Sequence, residues 1–96
     1  MKVIARPKGT NKTKELLTMA EENQGIVLTT EKRALQVKAL NYGLKNVSIV
    51  DWGDLFYGNY DKDKPLYIHK AADVFQEYLK ADFGINLEGF SITMEE

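Results

Sequence analysis

The chain has 96 residues, enough for one small domain with a modest core and too few for an elaborate two-domain enzyme. Hydrophobic residues make up 44% and charged residues 28%, and the formal net charge of −1 argues against a protein held on nucleic acid by bulk charge. There are no cysteines, which excludes disulfides and thiolate metal sites and fits a reducing cytoplasm.

The N-terminal apolar run is too short for a signal peptide, and no run approaches the length needed to cross a bilayer, so the expected setting is cytoplasmic with no membrane. Val3-Ile4-Ala5 reads as a short buried strand. After the loop at residues 6–13, the stretch Lys12–Glu22 reads as a helix with Leu16, Leu17 and Ala20 on one side, closed by Asn23-Gln24-Gly25. Ile26-Val27-Leu28-Thr29 is continuously apolar or β-branched, as a strand covered on both faces should be. Thr30 is a good N-cap for a second helix running to about Tyr42, which puts Arg33 at the third helical position, where a capping box prefers Glu. Leu35, Ala39 and Tyr42 form its apolar stripe, Gly43 supplies a left-handed stop, and Leu44 the hydrophobic contact beyond it. Val47-Ser48-Ile49-Val50 is the third strand.

Residues 51–65 are the least regular. A short helical turn is expected near Asp54-Leu55-Phe56; Asp51 and Asp54 either flank a site or start that turn, where the helix dipole favours acids. Asp61-Lys62-Asp63-Lys64 reads as a solvated loop tip. Trp52, Phe56, Tyr57 and Tyr60 form either a recognition patch or, more commonly for such clusters, a cover over the open end of a small core. Leu66-Tyr67-Ile68 is a fourth strand, followed by the clearest helical pattern in the chain, Ala71, Val74, Phe75, Tyr78 and Leu79, with Phe75 and Tyr78 expected in the core. Gly84 and Ile85 repeat the stop seen at Gly43 and Leu44, and Phe90, Ile92 and Met94 alternate with Ser91 and Thr93 as a fifth strand. This alternation predicts an α/β three-layer sandwich, one domain over residues 1–96, with a mainly parallel five-stranded sheet, helices on both faces, and any ligand at the carboxyl ends of the strands.

The chemistry-bearing segment is Arg6-Pro7-Lys8-Gly9-Thr10-Asn11-Lys12-Thr13. It departs from the phosphate-loop pattern G-x-x-x-x-G-K-[ST] at Arg6 and Asn11, and keeps the Lys-Thr pair between a strand and a helix. Such a loop aims backbone N–H groups at oxyanions at the positive end of a helix, while lysine neutralises phosphate and the hydroxyl coordinates magnesium. Asparagine tolerates positive φ better than other non-glycine residues, so Asn11 is compatible with the loop shape. The other reading of this segment is a basic turn that caps a helix. His69 is the single histidine, too few for a zinc site; it is either a substituted acid in a former metal site or a polar residue ending a strand. No nucleophile-and-base constellation can be assembled, because the two serines, Ser48 and Ser91, fall on expected strands.

Over its whole length the chain resembles the P-loop NTPase fold, in a minimal RecA-like, helicase-type form found among small phage proteins. Gly9-Thr10-Asn11-Lys12-Thr13 resembles the Walker A motif, and Gly25-Ile26-Val27-Leu28-Thr29-Thr30 the strand after the first helix. The segment from Leu66 to Asp73 resembles a Walker B strand and its turn, and Phe90-Ser91-Ile92-Thr93-Met94 the strand bearing a nucleotide-sensing hydroxyl. The resemblance implies a nucleotide such as ATP, or phosphate, bound at Gly9, Thr10, Asn11, Lys12 and Thr13, with Thr13 as the magnesium ligand. It implies a fifth strand between the first and fourth, with the second and third toward the opposite edge from the first. His69 and Lys70 stand where the Walker B acids should be, with Asp73 a helical turn beyond, so binding without efficient hydrolysis is expected and no catalytic residue is assigned. The alternative is a non-catalytic protein-interaction module that keeps the fold and modulates DNA-processing machinery.

Overall fold

Three short apolar runs form the centre of the protein. β1 (Ile26–Leu28), β2 (Ser48–Val50) and β3 (Leu66–Ile68) pair in parallel in the order β2-β1-β3. They are flanked by α1 (Lys12–Glu22), α2 (Lys32–Asn41), α3 (Trp52–Phe56) and α4 (Ala71–Phe83). This computed structural model describes residues 12–89 and residue 91. The α/β alternation is as expected, and the described sheet has three strands where five were expected. Of the other two, residues 3–5 lie outside the described residues, as do residues 90–94 apart from Ser91, which is in no strand.

The strand register explains the layers. Val27 lies opposite Ile49 on one side and Tyr67 on the other, and residues level in register point to the same face of a sheet. These three pack with Leu17 and Ala20 of α1 and Leu35 and Ala39 of α2. One residue along, Leu28, Val50 and Ile68 face the opposite way and pack with Leu55 of α3, Val74 and Tyr78 of α4, and Tyr60. Fully burying each of the larger aliphatic side chains contributes roughly 1.5–3 kcal/mol. The connections β1-α2-β2 and β2-α3-β3 cross the sheet in opposite directions with their helices on opposite faces, as right-handed crossovers require.

The helix ends refine the sequence reading. α1 closes with Gln24 in the left-handed region (φ 53°), while Gly25 N–H donates to Ala20 C=O at 2.7 Å and Gln24 N–H to Glu21 C=O at 3.1 Å. Gly25 serves a different need: a Cβ there would stand 2.6 Å from Tyr67 Cε2 and 2.9 Å from the Pro65 carbonyl oxygen. The expected stops at Gly43 and Gly84 are both left-handed, and Leu44 N–H reaches back to Ala39 C=O at 2.9 Å. The Thr30 cap needs correction. Glu31 is the N-cap of α2 and Arg33 only its second residue, because the Thr29 hydroxyl accepts the Glu31 N–H at 3.1 Å and holds the chain in a turn one residue longer.

The aromatic cluster divides. Tyr60 packs on the core, and Trp52 stacks on Tyr78 with centroids 4.3 Å apart while its indole N–H donates to Asp82 at 3.1 Å. Phe56 and Tyr57 meet edge to face and are 72% and 77% exposed, so they cover no core. Phe75, expected in the core, is 42% exposed: Val74 takes the inward position and Phe75 sits about 100° further round the helix. Tyr42 falls just past the end of α2, exposed, with the Lys14 ammonium 5.6 Å above its ring. Asp61 to Lys64 are exposed, as expected of a loop tip. Among the described residues no helix is long and apolar enough to cross a membrane.

Candidate functional site at the carboxyl edge of the sheet

β1 and β3 are neighbours, yet β1 leads into α2 on one face and β3 leads to α4 on the other. Their carboxyl ends therefore open a crevice, the place where parallel sheets receive ligands. The pairing continues one residue past each strand: His69 N–H donates to Leu28 C=O at 2.9 Å, and Thr29 N–H to Val50 C=O at 3.1 Å. Lys70 then takes a left-handed conformation (φ 54°, ψ 61°) and turns the chain from strand to helix within one residue. This leaves His69 4% exposed, a polar side chain ending a strand inside the crevice.

Three side chains from three elements meet there. Thr29 Oγ1 lies 2.9 Å from His69 Nδ1, and Thr13 Oγ1, in the first turn of α1, lies 3.4 Å from His69 Nε2. Burial, reinforced by the Lys70 charge, lowers the His69 pKa below its ordinary value, against the opposing pull of Glu31 and Asp73. The ring is therefore neutral at pH 7, with one donor and one acceptor nitrogen. A hydroxyl serves either role, so both tautomers satisfy the ring: Nδ1–H on Thr29 with Nε2 accepting from Thr13, or the reverse.

Charged groups rim the crevice. The Lys70 ammonium donates to both Glu31 carboxylate oxygens, at 3.3 and 3.2 Å, in a pair exposed enough to contribute little stability. Beyond β2, Asp51 caps α3: its carboxylate accepts the Asp54 N–H at 2.9 Å, and the Asp54 carboxylate accepts the Asp51 N–H at 3.0 Å. These acids start a helical turn. Lys32 donates to Asp54 at 2.8 Å, which holds the Asp54 carboxyl below its usual range and raises the Lys32 ammonium.

Of the site residues expected from the sequence, Gly9, Thr10 and Asn11 lie outside the described residues. Lys12 begins α1, Thr13 reaches the crevice, and Asp73 is exposed on the first turn of α4. Magnesium needs an octahedral set of oxygen ligands. The Thr13 hydroxyl instead faces an imidazole, a histidine ends β3, and Glu31 is held by Lys70. No group of three or more His, Cys, Asp or Glu among the described residues could hold a metal ion. These side chains do not fit a magnesium site. α1 begins at Lys12, so the positive end of its dipole lies beside Thr13.

The contact that sequence reasoning missed is the Thr13–His69–Thr29 chain. Its signal was present: Thr29 and His69 each directly follow an apolar parallel strand, so the two share one sheet edge. No protein-family model, no curated protein and no solved structure matches this chain.

Proposed function

We propose that the protein binds phosphate or a nucleotide at residues 9–13 without efficient hydrolysis. The observation that carries this reading is the Thr13 hydroxyl lying against His69 across 56 residues of chain. In P-loop domains the hydroxyl after the loop lysine and an acid at a strand end share a magnesium ion. Here the corresponding pair is a threonine and a neutral histidine, which supports an inherited phosphate loop that has lost its metal. Without a carboxylate to support magnesium or orient water, binding is favoured over turnover. The ligand is then held by backbone N–H groups and Lys12, and magnesium adds little affinity.

The same reading extends the sheet beyond β3 to the five strands expected from the sequence. Handedness supports this. α4 lies on the face from which a right-handed crossover leads outward past β3, and α1 lies on the face that requires its preceding strand on the β3 side of β1. Five strands so arranged would match the RecA-like P-loop fold that the sequence resembles.

The second reading, an interaction module acting on DNA-processing machinery, draws on Phe56 and Tyr57, an aromatic pair of the kind that anchors protein interfaces.

Isothermal titration with ATP, with and without magnesium, and with inorganic phosphate separates the two readings. Wild-type protein is expected to give saturable heat with little magnesium dependence, and Lys12→Ala to weaken binding at least tenfold. Equal absence of heat in both proteins removes the ligand-binding reading and leaves the interaction module.

A further inference from the structure

The helices on the two sides of the sheet carry opposite charge. On one side, α2 buries Leu35 and Ala39 and turns Val37 and Leu40 outward, 52% and 66% exposed. Positions three and four apart share a helix face, so Arg33, Val37 and Leu40 form one exposed line. α2 holds Lys32, Arg33 and Lys38 and no acid. Lys32 is engaged by Asp54, while no ion pair among the described residues engages Arg33 or Lys38. The result is an apolar stripe with a basic rim.

On the other side, α3 and α4 present aromatic rings among acids. Phe56 and Tyr57 at the end of α3 and Phe83 at the end of α4 are exposed. Trp52, one turn before Phe56, joins the two helices: it stacks on Tyr78 and donates to Asp82, the neighbour of Phe83. α4 carries Asp73, Glu77 and Asp82 against one cation, Lys80, and all three acids are exposed. The sheet separates the two faces, so they cannot meet within one molecule. Between molecules, charge favours the unlike faces and opposes α2 on α2 or α4 on α4.

We propose that the protein assembles head to tail with a second copy of itself, the Arg33–Val37–Leu40 face of α2 docking on the acidic aromatic face of α3 and α4 in the next copy. This rests on neither reading above: no ligand enters it, and the partner is the chain itself. The apolar and aromatic side chains supply the buried contact, and the charged rims set the orientation. Each copy offers both faces on opposite sides, so the contact repeats in one direction and builds open chains rather than a closed pair.

Sedimentation velocity of the full chain over a wide concentration range tests this. Wild-type mass should rise with concentration past that of two copies without levelling off. The association constant should fall about tenfold or more from low to high salt, and by a similar factor in Arg33→Glu. Val37→Glu/Leu40→Glu and Phe56→Ala/Tyr57→Ala change exposed positions only, and amide NMR spectra check their folds. Each should stay monomeric alone. Mixed in equal amounts, they should form a pair with one copy of each and stop there, joined by the one basic and the one acidic face left intact. A wild-type mass that stays at one copy, a mass that levels off at two, association unaffected by either variant, or no complex in the mixture would overturn the proposal.

Discussion

The Thr29 hydroxyl lies 2.9 Å from His69 Nδ1, joining the ends of two neighbouring parallel strands by side chains where the backbone ladder stops. Burial of this histidine, more than any neighbouring charge, couples its protonation to folding. The folded-state pKa lies below the ordinary 6.5, so the unfolded chain binds more protons between the two values. This contribution to stability is fully present above about pH 6.5 and is lost as pH falls through the folded value. Urea midpoints measured from pH 7.5 downward should fall across this window, and less so in His69→Gln. A midpoint unchanged between pH 7.5 and 5 in wild-type protein would contradict the coupling.

Asp54 acts in a separate window. Its carboxyl is held low mainly by the Lys32 hydrogen bond and then by the Asp51 N–H. Its contribution is therefore present above the ordinary value of 3.8 and is lost as pH falls through the folded value. Asp51→Ala should cost about 1 kcal/mol at pH 7 through loss of the α3 cap. Chemical denaturation that shows no change would mean that α3 holds without its capping box.

Gly25→Ala should destabilise the protein by about 1–3 kcal/mol, since the new methyl group would strike Tyr67 and the Pro65 carbonyl. The Tyr67 hydroxyl accepts a hydrogen bond from Asn23 at 2.9 Å, so the ring is tied in place and does not yield cheaply. Retained stability with an unshifted Tyr67 resonance is the contrary result.

Gln24→Gly should do the opposite. Gln24 is left-handed at φ 53°, a conformation that costs a residue with a Cβ about 1 kcal/mol. Thermal unfolding should show an increase in Tm, and a decrease would show that the glutamine side chain contributes more than its backbone costs.

Leu35→Ala and the double variant Phe56→Ala/Tyr57→Ala should separate core from surface. Leu35 is fully buried between α2 and the sheet, and its truncation should cost about 2–5 kcal/mol. The exposed aromatic pair should cost well under 1 kcal/mol, and a large loss there would show that Phe56 and Tyr57 support the core after all.

Local patterning was legible in the residues. The unbroken apolar run at Ile26-Val27-Leu28 is what a doubly covered parallel strand requires, and Gly43 and Gly84 mark helix ends because left-handed backbone favours a residue without Cβ. Helix α4 was readable from its spacing, but Phe75 was misplaced, because periodicity identifies an apolar face without saying how wide a strip the sheet covers. Only the tertiary structure decided that Gly25 is needed for Tyr67 and that Thr13, Thr29 and His69 touch. Side-chain spacing along one helix or strand follows from fixed backbone geometry. Contacts across 40 or 56 residues depend on which strand ends share an edge and which face each crossover takes.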